Sequence, residues 1–205
     1  MIVVIDYGMG NLGSILNMLK KVGAQATISS DSAVIGAADK LILPGVGAFD
    51  AGMQRLHELN LVETLTRRVT REHTPVLGVC LGMQLLTQGS EEGDLPGLGW
   101  IEGRTRRFAF GPEHGGLKVP HMGWNTVSCK KEAPLFAGLE PDSRFYFVHS
   151  YYVRCARRED VLATTTHGVE FDSAVSRGNI MGTQFHPEKS HRFGMAVLAN
   201  FVERA

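Results

Sequence analysis

The sequence predicts one three-layer α/β domain with a mixed, mostly parallel sheet flanked by helices. Three observations predict it. Through the first half of the chain, strand-length apolar runs alternate with helix-period segments, which is the rhythm of βα units. The second half turns to short strands punctuated by turn residues. Finally, 205 residues with 43% hydrophobic and 20% charged content suit a single core, and no repeat or low-complexity linker divides residues 1–205.

Each element has its own signal. The run at 2–5 reads as a buried strand, 12–22 as a helix with apolar residues at helical spacing, and 26–29 and 41–43 as further strands. Helical patterning resumes at 48 and continues to about 71, with a break expected near Asn60. The apolar run at 75–79 is bounded by a proline and followed by a short helix at 81–87. The glycine-rich segments 89–93 and 95–99 read as loop. Beyond Ile101, strands are expected at 103–108, 144–149, 161–165, 174–176 and 180–185, and a final helix at 191–202.

Lys plus Arg and Asp plus Glu each number 21, so the formal net charge is zero. No net positive field is available to attract nucleic acid or an anionic membrane, and neither partner is expected. The opening MIVVIDYGMGN has no basic segment followed by a long apolar one, and polar residues interrupt every apolar run. A cytoplasmic protein with no membrane span is the expectation. The three cysteines, Cys80, Cys129 and Cys155, show neither paired nor metal-type spacing, so neither a disulfide framework nor a metal site is expected, and no cofactor is implied.

Cys80 stands in Gly78-Val79-Cys80-Leu81-Gly82, between an apolar strand and a helical segment. That is the form of a nucleophile elbow, in which small flanking residues let a strained turn lift the reactive atom above the sheet. The local positive potential of a helix N-terminus favours the thiolate there, and the next backbone N–H, that of Leu81, is poised to receive an oxyanion. Taken alone, a small buried cysteine in a tight junction explains the residues as well. A second stretch bears on the choice. In Phe185-His186-Pro187-Glu188, strand alternation puts His186 and Glu188 on one side, which suits a base and the carboxylate that orients it. They are far from Cys80 in the chain, but the carboxyl ends of strands in a parallel sheet are where such groups collect.

Together, Gly-Val-Cys80-Leu-Gly-Met-Gln and Phe-His186-Pro-Glu188 resemble the class I (triad) glutamine amidotransferases, which hydrolyse glutamine to glutamate and ammonia. Leu43-Pro44-Gly45-Val46-Gly47, Pro120-His121-Met122-Gly123-Trp124-Asn125, Phe145-Tyr146-Phe147-Val148-His149-Ser150-Tyr151 and His186-Pro-Glu-Lys189-Ser190 narrow the resemblance to the glutaminase subunits of imidazole glycerol phosphate synthases. It implies the class I amidotransferase fold, a catalytic Cys80, His186 and Glu188, and an oxyanion hole drawn from Val46, Gly47 and Leu81. It also implies glutamine contacts from Gln84, Glu92, Ser150 and Tyr151. In those proteins the glutaminase sits on a separate (β/α)8-barrel cyclase subunit, to which it sends ammonia for histidine biosynthesis. The resemblance therefore implies a heterodimer here, with Trp124, Tyr146 and Lys189 facing the cyclase. No barrel is encoded in these residues. The alternatives are the glutaminase component of a different class I amidotransferase and a stand-alone cysteine hydrolase of related fold.

A rival pattern is Gly8-Met-Gly10-Asn11-Leu12-Gly13 with Asp31 about twenty residues on, which has the spacing of a dinucleotide fingerprint. Against it, the half after Gly99 shows strands and turns where a second βαβαβ unit would stand. In the resembled family this segment is structural or borders the oxyanion strand, through Asn11.

Overall fold

The computed structural model describes residues 1–111 and 116–204. Four parallel pairings run through β2 (Ala26–Ser29), β1 (Ile2–Ile5), β3 (Lys40–Leu43), β4 (Val76–Val79) and β12 (Ile180–Thr183), in that order across the sheet. The sheet then continues antiparallel through β11 (Val169–Arg177), β10 (Val161–His167) and β7 (Ser128–Cys129), while β9 (Tyr151–Cys155) joins β11 to β5 (Gly103–Arg107). A separate antiparallel ribbon pairs β6 (His121–Thr126) with β8 (Arg144–His149).

The helices cover both faces: α1 (Leu12–Lys21), α2 (Ser32–Gly36), α3 (Phe49–Glu58), α4 (Leu61–Thr66), α5 (Leu81–Leu85) and α6 (His191–Arg204). Strand alternation sends Val3, Ile5, Leu41 and Leu43 into one core with Met53, Leu56 and Leu65, and Ile2, Val4, Ile42, Leu77 and Val79 into another with Ile15, Leu19, Leu198 and Phe201. Burial on both faces explains why the central strands read as continuous apolar runs. Among the described residues no helix is long and apolar enough to cross a membrane.

The expected break near Asn60 is real: Asn60 adopts φ +54° between α3 and α4, a left-handed conformation that asparagine tolerates better than most residues. Other boundaries differ. The 81–87 helix stops at Leu85, and the 174–176 strand extends to 169–177 because its polar residues are paired in the ladder. Strands β6, β7 and β9 and the short helix α2 were not expected from the pattern. Helix α2 begins under Asp31, whose carboxylate accepts the N–H groups of Ala33 and Val34 at 2.7 and 3.4 Å. Asp31 is thus a helix cap. Asn11 likewise caps α1 through the Ser14 N–H, and at the adjacent Gly10 a Cβ would lie 3.2 Å from Pro44 Cβ and 3.3 Å from the Gly45 nitrogen.

Candidate active site

Three adjacent parallel strands, β3, β4 and β12, deliver Pro44-Gly45-Val46-Gly47, Cys80 and His186 from their carboxyl ends. The elbow at Cys80 has φ +54° and ψ −109°, a non-glycine conformation that costs about 1–3 kcal/mol. What holds it is close packing: the Cys80 N–H donates to the Thr183 carbonyl at 2.7 Å. A Cβ on Gly82 would meet the Leu43 carbonyl oxygen at 1.8 Å, and one on Gly78 would meet Gly82 and Met83 backbone at 2.8 Å. The glycines are therefore required for the turn to press against strand β3, and the strain keeps the sulfur at the strand end.

His186 Nδ1 hydrogen-bonds Glu188 Oε1 at 2.8 Å, with both side chains buried. The carboxylate makes Nδ1 the protonated nitrogen in either charge state, leaving Nε2 for exchange with the thiol. Nε2 is buried and has no hydrogen bond of ordinary geometry among the described residues. Burial by itself pushes the His186 imidazole down, but the neighbouring Cys80 and Glu188 outweigh it and push the group up to about 9. The protonated form of the imidazole is thus favoured by the adjacent Cys80 and Glu188 side chains. Removing one of them should show: in Cys80→Ala, His186 should titrate well below about 9 when followed by NMR, and an unchanged midpoint would mean that the two groups are not coupled.

The remaining thiols differ. Burial and Asp172 push Cys155 far up, which leaves it inert, and Cys129 is exposed on β7, remote in the fold from the His186–Glu188 pair.

A cavity of about 230 Å³ opens at Cys80, below the roughly 300–1,000 Å³ of drug-sized sites and suited to one amino acid. It is lined by Val46, Gly47, Cys80, Leu81, Gln84, Glu92, Ser150 and Tyr151, together with Pro120, Val148 and His149. A larger depression of about 410 Å³ around His57, Glu63, Arg67 and Arg71 holds none of the nucleophile or base groups. Glu92 also accepts the Phe49 N–H at 2.9 Å, so its carboxylate caps α3 while facing the cavity.

Of the N–H groups expected to meet an oxyanion, that of Leu81 is already taken. Leu81 N–H points at the Gly45 carbonyl at 3.3 Å, so that carbonyl occupies the place where a developing oxyanion would sit. The N–H of Val46, on the same peptide as the Gly45 carbonyl, consequently points away. The buried Tyr7 hydroxyl donates to the Pro44 carbonyl and fixes one end of the segment, while Gly47 at φ +126° forms the other. Turning the single peptide between Gly45 and Val46 would release Leu81 N–H and bring Val46 N–H to the same point.

Trp124 and Tyr146 are cross-strand partners in the β6–β8 ribbon, with ring centroids 6.1 Å apart, and Lys189 Nζ lies 5.9 Å from the Tyr146 ring centroid. All three sequence-predicted contact residues therefore form one patch, with Trp124 46% and Met122 63% exposed. Two groups escaped sequence reasoning. Gln184 donates from Nε2 to Cys80 Sγ at 3.7 Å, and His149 lines the cavity. Alternation back from His186 would have placed Gln184 on the same side; nothing comparable marks His149.

The family model for class I glutamine amidotransferases matches residues 3–205. Among curated proteins, the chain is 54% identical to "Imidazole glycerol phosphate synthase subunit HisH 2" of Methanococcus maripaludis, covering all of both chains. It is 55% identical to the protein of the same name from Pseudomonas aeruginosa, covering 99% of each. Among solved structures, PurLQS from Thermotoga maritima superposes with a TM-score of 0.72 at 15% identity, over 98% of this chain and 96% of that one. A glutamine amidotransferase from Thermotoga maritima gives 0.65 at 18% identity, over 94% and 77%. These two share the fold.

Proposed function

We propose, from the premise that this chain belongs to the class I glutamine amidotransferase family, that it is the glutaminase subunit of an imidazole glycerol phosphate synthase. The observation that carries the reading is the convergence of Cys80, the His186–Glu188 pair and an amino-acid-sized cavity at the ends of β4 and β12, in a chain about half identical to such subunits along its whole length. The chain is an enzyme of glutamine hydrolysis, working in histidine biosynthesis.

Cys80 Sγ attacks the side-chain carboxamide carbon of glutamine while His186 takes the thiol proton. The oxyanion is met by Leu81 and Val46 N–H groups once the Gly45–Val46 peptide has turned, with Gly45 permitting the turn and Gly47 bounding the segment. His186 then gives its proton to the departing nitrogen, ammonia leaves, and a thioester remains on Cys80. Water, deprotonated by His186, hydrolyses it to glutamate and restores the thiol. Gln84, Glu92 and the backbone of Ser150 and Tyr151 hold the amino-acid end of the substrate. The setting is the cytoplasm, where free thiols persist.

The partner is a separate cyclase subunit docked over Trp124, Tyr146 and Lys189. Ammonia released at Cys80 must leave without meeting bulk water, so the partner has to cover the mouth of this site, and Lys189 is the charge next to Glu188 on its rim. Leaving a partner carboxylate buried without this lysine costs about 2–5 kcal/mol. The test follows amide nitrogen from ¹⁵N-glutamine into the cyclase product. Lys189→Ala should weaken association or release glutamate in excess of product, whereas Lys130→Ala, whose lysine pairs with Glu170 in the antiparallel part of the sheet, should do neither. Wild-type affinity and complete nitrogen transfer in Lys189→Ala would contradict the docking.

A further inference from the structure

Behind the cavity, His121 and His149 face each other across the β6–β8 ribbon, buried, with His121 Nδ1 3.0 Å from His149 Nε2. Their proton positions follow from their neighbours. His149 Nδ1 lies 2.8 Å from the Tyr151 carbonyl, which can only accept, so His149 carries its proton on Nδ1 and accepts at Nε2. His121 must therefore donate from Nδ1, and its Nε2 accepts from Asn125 Nδ2 at 3.2 Å. Asn125 cannot turn over, because Nδ2 also donates to the Thr166 carbonyl at 3.0 Å and Oδ1 accepts the Thr126 N–H at 2.9 Å. From the other side, Gln84 Nε2 donates to the Tyr151 carbonyl at 3.0 Å and to Gln184 Oε1 at 3.1 Å, and Gln184 Nε2 reaches Cys80 Sγ.

One continuous set of hydrogen bonds thus runs from Asn125, beside the exposed Trp124, through two imidazoles to the backbone of the glutamine cavity and on to the nucleophilic sulfur. We propose that His149 is a positioning residue for glutamine hydrolysis: its Nδ1–H fixes the Tyr151 carbonyl, and with it the Ser150–Tyr151 backbone and the Gln84–Gln184 pair that set substrate and sulfur relative to each other. The inference rests on the glutaminase reading above. A metal role for the histidines is not favoured, since among the described residues no group of His, Cys, Asp and Glu is placed to hold an ion.

The chain of hydrogen bonds needs both rings uncharged, because a second proton on either one would set donor against donor with Asn125 immovable. Burial pushes His121 down to about 4 and His149 down to about 3; the hydrogen bond to the Tyr151 carbonyl opposes this at His149, while His167, stacked on His121 at 4.3 Å, and, for His149, also His121 and His186 add to it. No carboxylate is among the groups acting on them. The unfolded chain takes up these protons near pH 6.5 and the folded chain only near 3–4, so this contribution to stability is present above about pH 6.5 and is lost as pH falls towards 4.

Two isosteric substitutions divide the ring's functions. In His149→Asn the amide nitrogen stands near the place of Nδ1 and keeps the donor to Tyr151; in His149→Gln the amide reaches the place of Nε2 and keeps only the link to His121. In the cyclase-bound enzyme, His149→Gln and His149→Ala should raise KM for glutamine and lower kcat/KM by about 10- to 100-fold, the range for a lost hydrogen bond of this kind, and His149→Asn should restore most of it. Thermal unfolding and partner affinity are measured on the same samples. Equal impairment of His149→Asn and His149→Ala, or KM unchanged in all three variants, overturns the proposal. A fall in kcat that tracks lost folded protein with KM constant also overturns it, as the mark of a ring that only packs. Failure of the wild-type complex to hydrolyse glutamine would instead remove the glutaminase reading beneath it.

Discussion

Cys80→Ser should reduce glutamine hydrolysis by at least about 10⁴-fold in kcat while leaving the fold intact. Serine occupies nearly the volume of cysteine, and the strained elbow is held by Gly78, Gly82 and the Thr183 carbonyl through backbone contacts that do not involve the sulfur. What is lost is the thiolate, because a hydroxyl gives up its proton far less readily and the buried His186–Glu188 pair suits a thiol. Cys129→Ser and Cys155→Ser should be nearly silent. Glu188→Gln should cost less than His186→Ala, since the carboxylate orients the imidazole and does not itself carry the proton. Alkylation by a glutamine-like chloroketone, mapped by mass spectrometry, should mark Cys80; preferential labelling of Cys129 or Cys155 would reverse the assignment.

Nearly as large an effect is expected from the oxyanion segment. With the Gly45 carbonyl on Leu81 N–H, the isolated chain lacks both donors, and each missing donor costs about 10²- to 10³-fold in rate. The cyclase with its nucleotide ligand should therefore raise glutamine turnover by at least that factor, by favouring the turned Gly45–Val46 peptide. Gly45→Ala should disturb the resting segment and with it the response, because on the observed backbone a Cβ there would stand 2.5 Å from the Tyr7 hydroxyl and 2.8 Å from Leu81 Cβ. Steady-state glutaminase rates with and without partner and ligand read this directly, and equal rates in the two states would rule out the blocked donor as the control.

The parallel half of the sheet was legible because strands buried on both faces must be apolar throughout, and Pro44, Pro75 and the glycines around Cys80 mark where they end. The ribbon β6–β8 was only half legible. His121-Met-Gly-Trp-Asn-Thr carries a glycine, an asparagine and two large exposed side chains, a pattern that local reasoning assigns to loop, although each residue finds a partner across the ribbon. Helix α2 spans five residues under an Asp31 cap, too few for a periodicity to register. At the site, Cys80, His186 and Glu188 were readable because their chemistry demands particular neighbours within two residues. The contributions of Gln184 and His149 arise from hydrogen bonds between elements distant in the chain, and the resting direction of the Gly45 carbonyl is a property of one peptide plane. Neither kind of information is carried by residue spacing.

The central claim, a Cys80-dependent glutaminase governed by its partner, is tested most directly by glutamate release from L-glutamine, measured for the purified chain alone and again with the cyclase partner and its nucleotide ligand. Release should be slow from the chain alone, rise by about 10²-fold or more in the complex, and be absent in both states for Cys80→Ser. Absence of glutamate in the complex, or full activity in the chain alone that partner and ligand leave unchanged, would contradict it.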